Sequence, residues 1–354
     1  MCFSLSTAAL ATPPALPALN ALPNETSISG LSSGAFMAAQ FHVAYSDELV
    51  GAGIVAGGPW NCAGNNSYNN PFLTPIMSAT TTCMNPCKGS LFGCPSMLYP
   101  NSEFLADLAL ETAKSGKIDD LNNLKNDRIY IFSGASDKTV VTGVVDTTAE
   151  FYRQLGVSND QIRYNKTTDA GHAFITTDPN DTPCAKTTEP FINDCDIPQA
   201  QRILEHIYGA QNPPAKQLSG ELIEFDQRAF FDSPLTSMND TAFVYIPKNC
   251  RTEQCKVHVS VHGCEQGVSE IGTTYVKDTG YLEAADTNST IVLFPQVKKS
   301  ALSPFNPKGC WDFWGYSNND LPPYNYYNKN APQMIAINKM ITRLTSTPSK
   351  MAKN

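Results

Sequence analysis

The chain has 354 residues, of which 42% are hydrophobic and 16% are charged, a composition that supports a large core and argues against disorder. Its formal net charge of −8 leaves no basic face for a nucleic acid and no polybasic segment for anionic lipids. We therefore expect no nucleic-acid partner. No apolar run reaches the roughly 18 residues that span a bilayer, so no membrane span is expected either.

The N-terminal segment is rich in Ala and Pro and has no Lys or Arg in its first twenty residues. A secretory signal peptide normally begins with a basic region, which is missing here. We interpret Met1–Ala21 as a leader or a flexible N-terminal extension, residues 22–346 as a single catalytic domain, and 347–354 as a C-terminal tail.

Strand-like and helix-like patterns alternate through the first part of the chain. In chain order they are a strand at Thr26–Ser29, a helix at Ala35–Tyr45, a strand at Gly51–Ala56, a helix at Glu103–Ser115, a strand at Arg128–Phe132, a helix at Val145–Leu155, a strand at Gln161–Asn165 and a helix at Gln199–Tyr208. Residues 61–102 hold four cysteines and many Asn, Pro, Ser and Thr. They predict a disulfide-stapled excursion from the core.

A connector begins near Asn212, and the pattern then resumes. The predicted elements are strands at Ala242–Ile246 and Lys256–Val261, a helix at Tyr281–Thr287, a strand at Thr290–Phe294, an aromatic loop at Gly309–Tyr316 and a helix at Gln333–Leu344. Alternating strands and helices predict an α/β fold with a mostly parallel central sheet and helices on both faces.

The cysteine pattern favours disulfides over a metal site. There are 11 cysteines, and 10 remain if Cys2 leaves with a leader. The closely spaced cysteines have no histidine beside them, which argues against zinc and for an oxidising compartment. Pairing neighbours gives Cys62–Cys83, Cys87–Cys94, Cys184–Cys195 and Cys250–Cys255 and leaves Cys264 with Cys310; other connectivities stay open.

Glycosylation sequons also favour a secreted, extracellular protein, although their presence by chance is an alternative because Asn and Thr are common here. The sequon asparagines are Asn24, Asn65, Asn165, Asn180, Asn239 and Asn288.

A G-x-S-x-G motif, Gly30 to Gly34, lies between a predicted strand and a predicted helix. That context is typical of a nucleophile turn, in which glycines allow a tight bend and the helix N-terminus faces the serine. Ser32 is the candidate nucleophile. Ser33 is a rival hydroxyl, but its backbone N–H follows the nucleophile and is better suited as an oxyanion donor.

A serine nucleophile needs a base and an acid that orients the base. His172 follows a strand and a glycine, and Asp137 lies in the loop after another strand, which gives the order Ser, Asp, His of α/β-hydrolases. A surface-loop histidine and an ordinary turn-forming aspartate are the alternatives. Asp169 is too close in sequence to His172 to be the preferred acid.

The order of the remaining parts is unusual. The strand ending in His-Gly that supplies the second oxyanion donor normally precedes the nucleophile, but here Val261-His262-Gly263-Cys264 comes some 230 residues after Ser32. Circular permutation explains this order, with the oxyanion strand in residues 240–265 and the two ends of the fold close together.

Several motifs together resemble the extracellular polyhydroxybutyrate depolymerases of the circularly permuted, single-domain, fungal-like type. These are the segments at 29–34, 56–59, 171–172, 261–266, 293–296 and 309–314. The resemblance extends from about residue 24 to 345 and implies a circularly permuted, disulfide-stapled α/β-hydrolase.

The family implies a role for each matching residue. Ser32, Asp137 and His172 form the catalytic triad, and the N–H groups of Ser33 and Cys264 form the oxyanion hole. A Cys264–Cys310 disulfide anchors the oxyanion loop to the loop of Trp311, which lines the crevice. We add Trp60, Trp314 and His262 as expected substrate contacts. The extra Cys87 and Cys94 and the Phe313-Trp314 pair depart from the family pattern.

The implied reaction is hydrolysis of poly(3-hydroxybutyrate) or a related polyester to hydroxy acid monomers and oligomers, without a metal or organic cofactor. The expected partner is the polyester itself, and the expected state is a monomer. Two other functions remain open: a feruloyl or acetyl-xylan esterase on the same scaffold, and a non-catalytic secreted binding protein.

Overall fold

The computed structural model describes residues 12–64, 74–91, 93–317 and 325–348. Its strands are β1 Thr26–Leu31, β2 Leu49–Val55, β3 Arg128–Phe132, β4 Ile162–Asn165, β5 Phe174–Thr176, β6 Thr182–Pro183, β7 Ile192–Asp194, β8 Glu221–Asp226, β9 Thr241–Ile246, β10 Lys256–Val261 and β11 Thr290–Phe294. Its helices are α1 Ser33–Ala44, α2 Pro75–Thr80, α3 Ser102–Lys114, α4 Thr142–Gln154, α5 Gln199–Tyr208, α6 Val268–Ile271, α7 Thr274–Asp278, α8 Tyr281–Asp286 and α9 Pro332–Thr345.

The central sheet has eight strands in the order β4-β3-β2-β1-β10-β11-β9-β8. The first six are parallel, and β9 runs antiparallel to both of its neighbours. The predicted α/β fold with a mostly parallel sheet is confirmed. The first strand along the chain lies in the middle of the sheet beside β10, as circular permutation predicts.

Burial explains the sequence of the central strands. Every residue of β1 and β11 is buried, because helices cover both faces of the sheet. The edge strand β8 is half exposed and carries Glu221 and Glu224. Because its sequence is this polar, the sequence analysis predicted no strand there and included it in the connector. The short strands β5, β6 and β7 form a separate three-stranded sheet. No hydrophobic run in the sequence predicted these strands.

The two ends of the described chain meet. The backbone N–H groups of Leu19 and Ala21 donate to the carbonyl of Leu344 at 3.1 and 3.2 Å, and Asn20 donates to Ser346 at 3.0 Å. Leu16 and Ala21 are buried. The prediction of a flexible extension is therefore wrong for residues 12–21, which pack on α9; residues 1–11, with Cys2, lie outside the described range. Removal of a leader stays a prediction.

Five disulfides connect the cysteines in the predicted pairs: Cys62–Cys83, Cys87–Cys94, Cys184–Cys195, Cys250–Cys255 and Cys264–Cys310. Four of them close loops of 21 residues or fewer, so sequence proximity was a good guide to them. The fifth spans 46 residues and joins the loop after β10 to the aromatic loop.

No described helix is long and apolar enough to cross a membrane.

Two histidines of the β10 region are buried. The ring nitrogens of His258 bond the hydroxyls of Ser27 and Ser29 at 2.7 and 2.8 Å. His262 bonds the Gly263 carbonyl through Nδ1 at 2.7 Å and accepts the Val297 N–H at Nε2. Burial lowers the pKa of His258 to about 3 and that of His262 to about 4, so both rings are neutral in the native protein.

We expect these two rings to make the protein less stable in acid. Between pH 6.5 and about 4 the unfolded chain binds a proton at each ring and the folded chain does not, so the free energy of unfolding falls as the pH falls. Two such groups contribute roughly 3 kcal/mol per pH unit. Urea unfolding with the disulfides intact measures this slope. His258→Asn should remove about half of the histidine contribution to this pH dependence. An unchanged slope in the variant would contradict the lowered pKa of His258.

Candidate active site

The turn between β1 and α1 holds Ser32 in a strained conformation, with φ 57° and ψ −121°. Neighbouring backbone leaves no room for side chains on the flanking glycines. A Cβ on Gly30 would clash with Gly34, and a Cβ on Gly34 would clash with the carbonyls of Val261 and His262. The turn is therefore pressed against the end of β10, and Ser32 is displayed at the carboxyl edge of the sheet with 8% of its surface exposed.

His172 and Asp137 meet at the same edge. Asp137 follows β3, and His172 lies between β4 and β5. His172 Nδ1 donates to Asp137 Oδ2 at 2.7 Å. The other carboxylate oxygen accepts the N–H groups of Thr139 and Val140 at 2.8 and 3.0 Å. Because the carboxylate accepts, the proton lies on Nδ1, which leaves Nε2 as an acceptor for a serine hydroxyl.

The two loops that carry this pair are joined by backbone bonds. Ala135 N–H donates to Thr168 at 2.8 Å, and Ser136 N–H donates to Ala170 at 3.0 Å. The backbone N–H of His172 donates to Thr187 Oγ1 at 2.8 Å. Asp169 is exposed and accepts the Ser136 hydroxyl, so the structure brings Asp137 and not Asp169 to the imidazole.

The backbone N–H groups of Ser33 and Cys264 are the two candidate oxyanion donors. Ser33 is the first residue of α1, where N–H groups have no acceptor within the helix. In the loop after β10, the Gly263 N–H donates to Gln266 Oε1 at 2.7 Å and the Glu265 N–H donates to Lys308 at 2.8 Å. The Cys264 N–H between them has no acceptor within the described residues. Among the described residues, neither candidate oxyanion donor therefore has a hydrogen-bond acceptor.

A cavity of about 500 Å³ is lined by Ser32, His172 and Cys264. Apolar side chains supply much of the rest of its wall, namely Phe36, Met84, Val140, Phe191, Phe313 and Trp314. Phe313 stacks on Phe36 with ring centroids 4.3 Å apart, so two of these lining side chains pack against each other. The cavity therefore combines an apolar wall with a few polar groups around Ser32, a composition typical of small-molecule sites.

The predicted substrate contacts are only partly placed at this cavity. Trp314 lines it, whereas Trp60, Trp311 and His262 are fully buried and are absent from its lining. The assignment of these three residues as surface contacts is corrected: Trp60 donates its indole N–H to Tyr327, and Trp311 packs beside His262 with centroids 5.7 Å apart.

Several lining residues had no sequence signal. Phe191, Gln266, Phe305 and Lys308 come from irregular loops whose place above Ser32 depends on the tertiary fold. Gln266 follows Cys264 by two positions and lies in the 261–266 segment, which by itself predicts no role for it. Among the described residues, no group of three His, Cys, Asp or Glu side chains is arranged to hold a metal ion.

Comparisons with known proteins agree with this architecture, although no protein-family model matches the chain. The poly(3-hydroxybutyrate) depolymerase of Delftia acidovorans is 38% identical over 337 residues, which is 94% of this chain and 62% of that protein. The polyhydroxybutyrate depolymerase of Talaromyces funiculosus is 36% identical over 338 residues, covering 90% of this chain and 88% of that protein. The chain belongs to this depolymerase family.

Solved structures of the family have the same fold. The crystal structure of PHB depolymerase from Penicillium funiculosum superimposes with a TM-score of 0.78 at 33% identity, covering 94% of this chain and 98% of that one. A serine-to-alanine variant of PHB depolymerase, complexed with an R3HB trimer, matches equally well. The chain spans 62% of the length of the Delftia relative but nearly the whole of the solved chains.

We expect Asp137→Asn to slow the reaction of Ser32 with a fluorophosphonate about 10⁴-fold, because the amide favours the wrong imidazole tautomer. The labelling rate, followed by mass spectrometry of the Ser32 peptide, measures this. Asp169→Asn is the matched control and should label at the wild-type rate. Equal slowing in both variants would contradict the assignment of the acid.

Proposed function

We propose that the protein is a secreted serine esterase that hydrolyses poly(3-hydroxybutyrate) or a related polyester through an acyl-enzyme. The observation that supports this proposal is that Ser32, His172 and Cys264 line one apolar cavity and that His172 is hydrogen-bonded to Asp137. Family membership supports the substrate class, and the trimer complex of a related structure supports an oligomeric ester.

In the acylation half, His172 Nε2 takes the proton from the Ser32 hydroxyl while Oγ attacks the ester carbonyl carbon. The carbonyl oxygen becomes an oxyanion that accepts the N–H groups of Ser33 and Cys264. Asp137 stabilises the imidazolium without taking its proton. The intermediate then collapses, the C–O bond to the leaving alcohol breaks, and His172 gives its proton to that alcohol.

In the deacylation half, a water molecule loses a proton to His172 Nε2 and attacks the acyl-enzyme carbonyl. The same two N–H groups hold the second oxyanion. When this intermediate collapses, the proton returns to Ser32 Oγ and a hydroxy acid or shorter oligomer leaves. Each group ends in its starting protonation state, so the cycle requires no other reactant than water.

The rim of the cavity suits a solid substrate. Ile76 and Phe305 line the cavity and expose 38% and 55% of their surface, and Leu302 in the loop of Phe305 exposes 90%. Exposed apolar groups beside a catalytic opening provide contact area for a water-insoluble chain. The catalytic domain therefore supplies its own apolar surface to the polymer.

Secretion is supported by the five disulfides and by two accessible sequons. Asn24 and Asn180 are exposed. Asn239 and Asn288 are only partly exposed, which makes them poorer glycan acceptors. Asn165 is bonded to Thr168, and Asn65 lies outside the described residues.

Product analysis on poly(3-hydroxybutyrate) tests the proposal. We expect the wild-type protein to release hydroxybutyrate monomers and dimers and Ser32→Ala to release none, because the alanine has no nucleophile. Chromatography of the soluble fraction measures the release. Equal release by both proteins would disprove the nucleophile, whereas release of ferulate or acetate from plant polysaccharide without polyester hydrolysis would support the carbohydrate esterase instead. Failure of a fluorophosphonate to label wild-type Ser32 would favour a non-catalytic binding protein.

A further inference from the structure

Gln266 makes three hydrogen bonds to backbone groups beside the proposed oxyanion hole. It is almost fully buried, with 1% of its surface exposed. Its Oε1 accepts the Gly263 N–H at 2.7 Å. Its Nε2 donates to the carbonyls of Pro190 and Phe191 at 2.9 and 3.2 Å. A glutamine side chain offers one acceptor and two donors, and all of them are used here.

The bond to Gly263 fixes the His262–Gly263 peptide, one peptide unit before the one that carries the Cys264 N–H. The carbonyl of that next unit, Gly263 C=O, is held by His262 Nδ1 at 2.7 Å. Glu265, on the other side, has a left-handed backbone with φ 61° and donates its N–H to Lys308. Such a conformation is costly for a residue with a side chain and persists only where surrounding contacts hold it. The Cys264 N–H is thus held between two anchored amides, and Gln266 supplies one of the anchors.

The carbonyls that hold Gln266 belong to a segment that also supports the base. Thr187 accepts the backbone N–H of His172 at 2.8 Å, three residues before Pro190. The Phe191 carbonyl accepts a second bond, from the N–H of Phe174 at 2.9 Å. Through residues 187–191, Gln266 therefore connects the oxyanion loop to the loop of the catalytic histidine.

We infer that Gln266 is a positioning residue for ester hydrolysis: by holding the Gly263 N–H, it aims the Cys264 N–H at the developing oxyanion and keeps it in register with His172. This inference rests on the proposed function. It assigns Gln266 no contact with the reacting atoms. Gln266 therefore contributes to the rate in the transition state, because the Cys264 N–H that it positions donates a hydrogen bond to the oxyanion.

Gln266→Met tests the inference, since methionine has a similar length and cannot make the three bonds. Loss of one oxyanion donor lowers kcat about 100-fold or more, and we expect this effect on a short soluble hydroxybutyrate ester, with KM changed less than about threefold. Active-site titration with a fluorophosphonate gives the concentration of folded enzyme to which kcat refers.

A thiono ester of the same acid reports on the oxyanion hole itself. Sulfur is a weak hydrogen-bond acceptor, so wild-type enzyme should prefer the oxygen ester strongly. Gln266→Met should lose most of this preference, because the donor that distinguishes oxygen from sulfur is no longer aimed. A purely structural role would lower both rates together and leave the preference unchanged, which would overturn the inference.

Gln161 provides the matched control. Its Oε1 accepts the Ser158 N–H at 3.2 Å, and its Nε2 donates to the carbonyls of Lys125 and Asp127 at 2.8 and 3.1 Å. It precedes β4 and therefore lies at the opposite edge of the sheet from Ser32. Gln161→Met should keep the wild-type kcat and ester preference; an equal kcat loss in both variants would overturn the inference.

Gln266→Glu serves if the methionine variant does not fold. The ionised carboxylate faces the carbonyls of Pro190 and Phe191, whereas the protonated form donates to one of them. The kcat of this variant relative to wild type should rise as the pH falls, and a flat ratio would contradict the inference. If wild-type protein itself hydrolyses no ester, the proposed function fails; if wild type is active and the Gln266 variants equal it, this inference alone fails.

Discussion

The site depends on one backbone contact, where the turn after β1 presses against the end of β10. Because Gly34 has no side chain, its Cα approaches the carbonyls of Val261 and His262 directly. This approach places Ser32, at the end of the chain's first strand, at the same cavity as Cys264, although some 230 residues separate them. It also explains the strained backbone of Ser32, which the packing of α1 against β1 and β10 must stabilise.

The central part of this arrangement could be predicted from local sequence. Gly30 and Gly34 around Ser32 mark a turn with no room for side chains, and the structure shows the crowding that requires them. The late position of His262-Gly263 implied a permuted chain, and the sheet order, with β1 between β2 and β10, agrees. Short loop lengths made four of the five disulfide pairs the simplest choice.

The remaining features depend on tertiary packing that a single sequence does not encode locally. Trp311 belongs to an aromatic loop, but its burial follows from the close approach of that loop to α1, where the Trp311 N–H donates to Ser33 Oγ. Residues 12–21 look like a leader by composition, yet Leu16 packs into the core. Gln266 could not be assigned a role, because its partners at Pro190 and Phe191 lie about 75 residues away.

The most direct test of the convergence is a crystal structure of the protein inactivated by a phosphonate analogue of a hydroxybutyrate ester. We expect phosphorus bonded to Ser32 Oγ, with the phosphoryl oxygen about 3 Å from the N–H groups of both Ser33 and Cys264. We also expect His172 Nε2 on the leaving-group side, still bonded through Nδ1 to Asp137. Phosphorus on another residue, or a phosphoryl oxygen directed away from Cys264, would contradict the proposed convergence.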